Sequence, residues 1–447
     1  RFDAYKYSGE LRSVCAAMMG KMKTGEDVAK VYDIIGRTYL FEAKDVFDSY
    51  CIYLEWNRAP EKKFYQPRRK VLRTVANALQ DLADDRLDLL AISMPPGCGK
   101  TALAIFYLTW LAGRNPDEPM LTGSHSNSFV RGVYDECLRI FDKDGEYLWN
   151  DVFPDVIVSN TNAKDCRIDL GKRKRFETLE FTSIGTGNAG LYRASTLLYC
   201  DDLVSGIEVA LSKPRLDKLW ETYTTDLRQR KIGNKCKELH IATRWSVHDV
   251  IGRLEQNYGD SDRNRFIVMP AMNEKDESNF DYDYGVGYST ETLRKQREVM
   301  DEMSWKALYM NQPVEREGLL FPADELRYFN GVLPDGEPDR KLMVMDIAWG
   351  GGDFTACPIA YVYGDAVFIP DLVFNNGDKT VTRPEVVGKI IQHKINVVRG
   401  EANNGGDEYC DVVDSQLRQQ GYHCSVRSQR APSGQSKLSR IIQYAPD

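Results

Sequence analysis

Several things are scarce in this chain. No apolar run approaches the roughly 18 residues of a membrane span, and no basic-then-apolar leader opens the sequence. A membrane is therefore not expected among its partners. Histidine is rare: five residues, too dispersed for a zinc site, with His423 beside Cys424 the nearest approach to one. The ten cysteines include no C-x-x-C pair. That pattern fits scattered buried thiols in a reducing compartment better than a disulfide framework. Positive charge is short as well. A net charge of −7 and a pI near 5.5 argue against a protein that coats nucleic acid, while leaving room for a local grip. Basic clusters stand at Lys62, Lys63, Arg68, Arg69 and Lys70, at Lys172–Arg175, and at Arg427, Arg430, Lys437 and Arg440. Each suits a solvated face as well as a phosphate track. No internal repeat or low-complexity tract is present.

What the chain does have is length and alternation. Its 447 residues allow two or three domains, each with its own core. Residues 1–60 carry helical apolar spacing in Val28-Val31-Ile34-Ile35 and Val46-Tyr50-Leu54. Residues 61–260 alternate helices with short apolar strands at Leu87–Met94, Met120–Gly123, Thr196–Asp201 and Glu238–Thr243. This is the pattern of a parallel sheet covered on both faces. Residues 261–335 are mixed and polar and read as a connector, with a helix expected over Ser289–Met310. Residues 336–447 form a second strand-rich block, with strands at Leu342–Ile347, Ala356–Tyr363, Asp365–Phe374 and Asn396–Arg399. The fold class is α/β: two domains behind a helical preface.

The segment Leu89-Leu90-Ala91-Ile92-Ser93-Met94-Pro95-Pro96-Gly97-Cys98-Gly99-Lys100-Thr101 is the most informative. An apolar strand enters a small-residue loop, and Gly-Lys-Thr opens an apolar helix. A triphosphate needs backbone N–H groups facing its oxygens, a lysine at its β and γ phosphates, and a hydroxyl on Mg²⁺. The pattern asks for Gly where Met94 stands, so the match is partial. Gly97, Cys98, Gly99, Lys100 and Thr101 are the candidate nucleotide-binding residues. About a hundred residues on, Thr196-Leu197-Leu198-Tyr199-Cys200-Asp201-Asp202 ends an apolar strand in two acids. Asp201 is the candidate to support Mg²⁺ and Asp202 the candidate general base, with Glu208 in reserve.

Three further assignments leave alternatives open. Phe64-Tyr65-Gln66 precedes an amphipathic helix, so Tyr65 and Gln66 could hold adenine, or the aromatic is a surface residue against a core helix. Thr243-Arg244 at a strand tip suits a γ-phosphate sensor, or Thr243 caps the next helix. A transition state of phosphoryl transfer wants a cation, worth roughly 10³–10⁵ in rate. Arg131, Arg139 and Arg193 are the choices, with Arg139 placed to reach a neighbouring subunit.

Taken in order, these pieces resemble the large terminase subunit of tailed bacteriophages, over roughly residues 60–445. The resemblance rests on Pro95–Thr101, Ser124-His125-Ser126, Gly185-Thr186-Gly187-Asn188-Ala189-Gly190-Leu191-Tyr192-Arg193, Asp201-Asp202, Thr243-Arg244-Trp245 with Asp249, and Asn311-Gln312-Pro313 before Gly318-Leu319-Leu320-Phe321. It implies a P-loop ATPase domain of the ASCE type over 61–260 and an RNase H-like nuclease domain over 336–447. It also implies a role for Thr243 in coupling hydrolysis to movement. ATP, Mg²⁺ at the ATPase site and Mg²⁺ or Mn²⁺ at the nuclease site are the implied cofactors. Double-stranded DNA, a portal protein, a small terminase subunit and a homo-oligomeric ring, a pentamer on this reading, are the implied partners. The implied place of action is the host cytoplasm, transiently on the procapsid portal and not in the mature virion.

The resemblance also makes a demand on the second block. Two-metal phosphodiester hydrolysis needs converging carboxylates, which an RNase H-like sheet supplies from its first and fourth strands. Met343-Val344-Met345-Asp346-Ile347-Ala348 and Asn396-Val397-Val398-Arg399-Gly400-Glu401 each carry one acid, and an acid in an apolar strand is costly unless paired or on a metal. Asp346 and Glu401 are therefore the candidate metal ligands, with Asp353, and more weakly Asp371, further out. The third carboxylate of the family falls beyond Asp447 on this reading, so the domain is expected to continue past it. The resulting expectation is an ATP-driven DNA translocase with a metal-dependent endonuclease. Its rivals are a helicase or repair-type ATPase without nuclease activity, and a nucleotide-gated assembly protein.

Overall fold

The computed structural model describes residues 3–172, 174–186, 192–313, 327–348, 353–402, 405–430 and 441. The chain divides into two compact units, residues 1–318 and 319–447. Among the described residues no helix is long and apolar enough to cross a membrane.

The first unit is built on an eight-stranded sheet. Its strands are β1 (Leu89–Ser93), β2 (Met120–Ser124), β3 (Val158–Asn162), β4 (Arg167–Leu170), β5 (Leu179–Ser183), β6 (Leu197–Asp201), β7 (Lys237–Ala242) and β8 (Asn264–Val268). They lie in the order β3-β4-β5-β2-β6-β7-β1-β8. The six strands from β5 to β8 are parallel, and β3 and β4 extend one end antiparallel. Strands β1, β2, β5 and β6 are buried at every residue, as continuous apolar runs covered on both faces must be. β7 lies between the β1 strand and the acid-ended β6. β8 falls in the stretch read as connector, yet it completes the sheet beside β1.

The helical preface does not stand apart. Ala43, Phe47, Tyr50 and Leu54 share a core with Leu103, Phe106 and Trp110 of the helix Lys100–Arg114. Trp110 donates from its indole to the Ala43 carbonyl at 2.9 Å, and Tyr50 and Thr109 hydroxyls meet at 2.8 Å. The helix expected over Ser289–Met310 is broken. Thr290–Glu298 is helical, then a turn capped by Asp301 leads into a π-helical segment, Trp305–Tyr309.

The second unit holds a five-stranded sheet. Its strands are β9 (Arg340–Met345), β10 (Thr355–Tyr363), β11 (Ala366–Asn375), β12 (Val397–Glu401) and β13 (Ser425–Gln429), in the order β11-β10-β9-β12-β13. The first three form an antiparallel meander; β12 and β13 add on in parallel. Helices Lys379–His393 and Gly406–Gln419 cover one face, burying Met343, Met345, Cys357, Ile359, Val373 and Val398.

Candidate nucleotide and metal sites

Parallel strands end at one edge, so the loops after β1, β2, β6 and β7 converge there, where open α/β sheets bind ligands. The loop after β1 is shaped by Gly97 and Gly99, both left-handed with φ of 74° and 92°. A Cβ on Gly99 would stand 2.6 Å from the Phe64 ring, and one on Gly97 would stand 2.5 Å from the Tyr288 hydroxyl. Gly99→Ala should therefore displace the loop, lower stability by roughly 1–3 kcal/mol, and weaken nucleotide binding about tenfold or more. Thermal melting and a nucleotide titration test this, and wild-type affinity would refute it. Cys98 is fully buried. Burial pushes its thiol up to about 12, against the pull of Lys100 and Arg68, so it packs as a small apolar group.

Lys100 opens the next helix and is 7 % exposed. Its ammonium donates to the Thr243 hydroxyl at 2.7 Å and lies 3.6 Å from Asp202 Oδ2. The Thr243 amide donates to Asp202 Oδ1 at 2.8 Å. Lysine, threonine and aspartate from three loops thus close on one another. Asp202 has a positive φ of 40°, which turns the chain off β6 and aims its carboxylate along the edge. Its carbonyl meets His125 Nδ1 at 2.7 Å. Asp201, beside it, is fully buried. Burial first, then the neighbouring Asp202 charge, raises its carboxyl to about 7, while Tyr199, Lys100 and Thr101 pull it down. The Tyr199 hydroxyl donates to Oδ2; Oδ1 is buried without a hydrogen-bond partner among the described residues. A buried oxygen left unpaired, next to Lys100-Thr101, fits a cation site.

From Thr243 the packing runs on to Arg244, 5 % exposed. Its side chain donates to Asp249 at 3.0 Å, and its amide donates to Asn311 Oδ1 at 3.3 Å. Asp249 also caps the helix Val250–Tyr258 by accepting from the Gly252 amide.

Some sequence candidates lie elsewhere. Tyr65 is fully buried and donates its hydroxyl to Asp48 at 2.7 Å, so it is a core residue and not a base-stacking one. Gln66 is exposed on the same helix. The residue over the loop is Phe64, followed by Arg68, whose guanidinium lies 5.0 Å from the Phe64 ring and 5.6 Å from that of Tyr282. In the sequence Arg68 is one charge of a basic cluster, and no local pattern marks Tyr282 or Tyr288. Arg193 cannot serve the loop of its own chain. Its amide donates to Glu180 at 3.2 Å, and Ser195 donates to Pro119 ahead of β2. It therefore sits at the opposite edge of the sheet, roughly 16 Å away along a five-residue strand. Arg139 is on the last turn of Asn127–Phe141, paired with Glu136 at 2.7 Å, about 20 Å along the helix from its Ser126 cap. It too is out of reach of its own loop. Arg131 donates to the Ala163 carbonyl, and Glu208 lies 3.9 Å from Arg215.

In the second unit, Gly400 on β12 is registered with Met345 on β9. One residue on, Glu401 and Asp346 are neighbours at the ends of adjacent parallel strands, about 5 Å apart at the backbone. Both alternate with buried residues, Val398 and Gly400 on one strand, Met343 and Met345 on the other, so both face away from the helix-covered side. Two oxygen donors on one face suit a hard divalent cation. Asp346 exchanges backbone hydrogen bonds with Ala356 at 2.9 Å. Asp353 is exposed two residues before β10. Asp371 is engaged by Lys389 at 2.5 Å and His393 at 2.9 Å, which lower its carboxyl to about 2; it is a structural ion pair. Among the described residues no cluster of three potential ligands forms. Residues 187–191 and 318–321, which carry part of the resemblance, lie outside the described residues, as do Lys437 and Arg440.

Residues 345–445 match the family described as terminase bacteriophage T7, ribonuclease H-like domain. The second unit is a terminase ribonuclease H-like domain. The match supports the resemblance of the chain to large terminase subunits, and Asp346 stands at its beginning. No curated protein matches the chain. Among solved structures, the large terminase from a thermophilic bacteriophage, in complex with ADP, is 14% identical. It aligns with 86% of this chain and 85% of that one, with a TM-score of 0.40. The HK97 bacteriophage large terminase is 12% identical over 82% of this chain and 83% of that one, with a TM-score of 0.36. The Phi-28 gp11 DNA packaging motor is 9% identical over 82% and 96%, with a TM-score of 0.27. At such scores the roles of residues rest on the chain's own geometry.

Proposed function

We propose that this chain is an ATP-driven motor that moves viral double-stranded DNA into a procapsid, and that its terminase domain cuts concatemeric DNA at the start and end of packaging. The observation that carries the reading is the closure of Lys100, Thr243 and Asp202 around the buried Asp201 on one sheet edge. In this reading Gly97–Gly99 cradle phosphates with backbone N–H groups, and Lys100 leaves Thr243 for the β and γ oxygens. Thr101 and Asp201 would hold Mg²⁺, which offsets phosphate charge. Asp202 orients the attacking water. When Lys100 moves, Thr243 loses its donor, and Arg244 carries the change to Asn311. The exposed Arg139 serves a neighbouring member of a ring, because a surface pair such as Arg139–Glu136 is held weakly. Asp346 and Glu401 would hold Mg²⁺ or Mn²⁺ for the cut, with Asp353 further out. The ring works in the host cytoplasm, docked on a portal and supplied by a small subunit. DNA is gripped by its backbone, so binding falls steeply with salt. The test is ATP turnover by the full chain with and without duplex DNA and portal protein. Stimulation supports the motor; turnover indifferent to both sinks it.

The raised carboxyl of Asp201 gives a second check. Its folded pKa lies above the unfolded value. It therefore contributes stability that is full below the unfolded pKa and is lost as pH rises through about 7. Binding Mg²⁺–nucleotide at about pH 6 should draw off roughly one proton. Calorimetry in buffers of differing ionisation enthalpy measures this, and Asp201→Asn should abolish it. Binding without proton release in the wild type would contradict the assignment.

A further inference from the structure

The face of the second sheet that carries Asp346 and Glu401 also carries an exposed aromatic pair. Register links one row across all five strands. Gln429 pairs with Glu401, Glu401 neighbours Asp346, Asp346 bridges Ala356, and Ala356 pairs with Phe374. Residues directly opposite share a face, so Phe374 stands on the carboxylate side, two strands or about 10 Å from Asp346. It is 60% exposed, and Phe354, 43% exposed, lies flat upon it, with centroids 4.4 Å apart and rings 4° from parallel. One pleat back along the same face, Arg427 and Arg399 are directly opposite each other. Like charges so placed repel, and among the described residues neither has an acidic partner. An anion lying over both would relieve them. Carboxylates for a metal, paired guanidiniums for phosphate and a flat apolar platform thus share one surface.

Two exposed phenyl rings stacked in parallel present an outer aromatic face on which a nucleobase can stack, since every base has a π-face. We infer that Phe354 and Phe374 form a stacking platform that seats an unstacked base of the DNA strand next to the phosphate being cut. The inference rests on the nuclease reading of Asp346 and Glu401. Phe354 and Phe374 are positioning residues: they fix the strand, and the carboxylates do the chemistry.

The test uses the full chain and a short single strand carrying 2-aminopurine, with Ca²⁺ in place of Mn²⁺ during binding. Stacking quenches this base. Wild type should quench it. Phe374→Leu and Phe354→Leu, which keep apolar bulk and should melt like wild type, should lose the quenching and bind about tenfold more weakly, the effect of one stacked base. Phe374→Trp should retain both. With Mn²⁺ and plasmid, the Leu variants should raise KM for nicking with little change in kcat. Quenching untouched by both Leu variants, or equal binding of an abasic strand, overturns the platform. Quenching that needs Phe374 in a chain that never nicks would instead keep the platform and reject the nuclease reading.

Discussion

Lys100→Ala should abolish ATP turnover, by a factor of at least about 10³, the range over which phosphate-clamping cations act. Lys100 is 7 % exposed, and its ammonium bridges Thr243 and Asp202 across three loops. Alanine removes the one cation that the loop itself supplies and leaves Asp202 and the buried Asp201 side by side. Two effects follow in the same direction. The phosphates lose their lysine, and the two carboxylates lose the charge that offsets their repulsion. The Asp201 carboxyl should rise further, since Lys100 is among the groups that lower it, and Mg²⁺ must then compete with a proton. Phosphate release measured with Mg²⁺–ATP decides the matter. Turnover within tenfold of wild type would show that the loop after β1 does not hold the nucleotide.

Much of this was legible in the sequence because each element carried its own signal. A continuous apolar run into Gly97-Cys98-Gly99-Lys100 could only be a buried strand meeting a turn, and Asp201-Asp202 closing another run marked a strand tip. Which strands neighbour one another was not legible. Neither β1 and β7 nor β6 and β7 are joined by a short turn, so nothing local reveals that β7 separates the loop from the acids. The same gap misplaced Arg193. It stands eight residues before Asp201, but a parallel strand begins at one edge of the sheet and ends at the other, so closeness in sequence became distance across the strand. Tyr65 failed for a different reason. At the start of an amphipathic helix, the face an aromatic takes depends on what packs there, and Asp48 and Glu55 from an earlier helix and turn decided it. Strand β3, Val158-Ser159-Asn160-Thr161-Asn162, is exposed and mostly polar, so no apolar pattern announced it. Asp346 and Glu401 were visible as acids in apolar strands, but their shared row with Phe374 emerges only from the register of five strands.

Asp346→Asn should eliminate Mn²⁺-dependent nicking of plasmid DNA, a loss of at least about 10³-fold, while leaving ATP turnover unchanged. The exchange keeps shape and the hydrogen-bonding backbone to Ala356 at 2.9 Å, so the strand should fold as before. What it removes is one negative charge from an oxygen pair that would hold a hard cation, and such cations are selected by charged oxygen donors. Glu401→Gln should act alike, because the two carboxylates are registered neighbours and a metal shared between them needs both. The double variant should then lose little more than either single one, as residues that act as a unit are strongly non-additive. Independent contributions that multiply would mean the two acids do not share an ion. A single variant that still nicks at the wild-type rate would remove the second unit from the cutting reaction altogether, leaving a DNA-dependent ATPase whose terminase domain only binds.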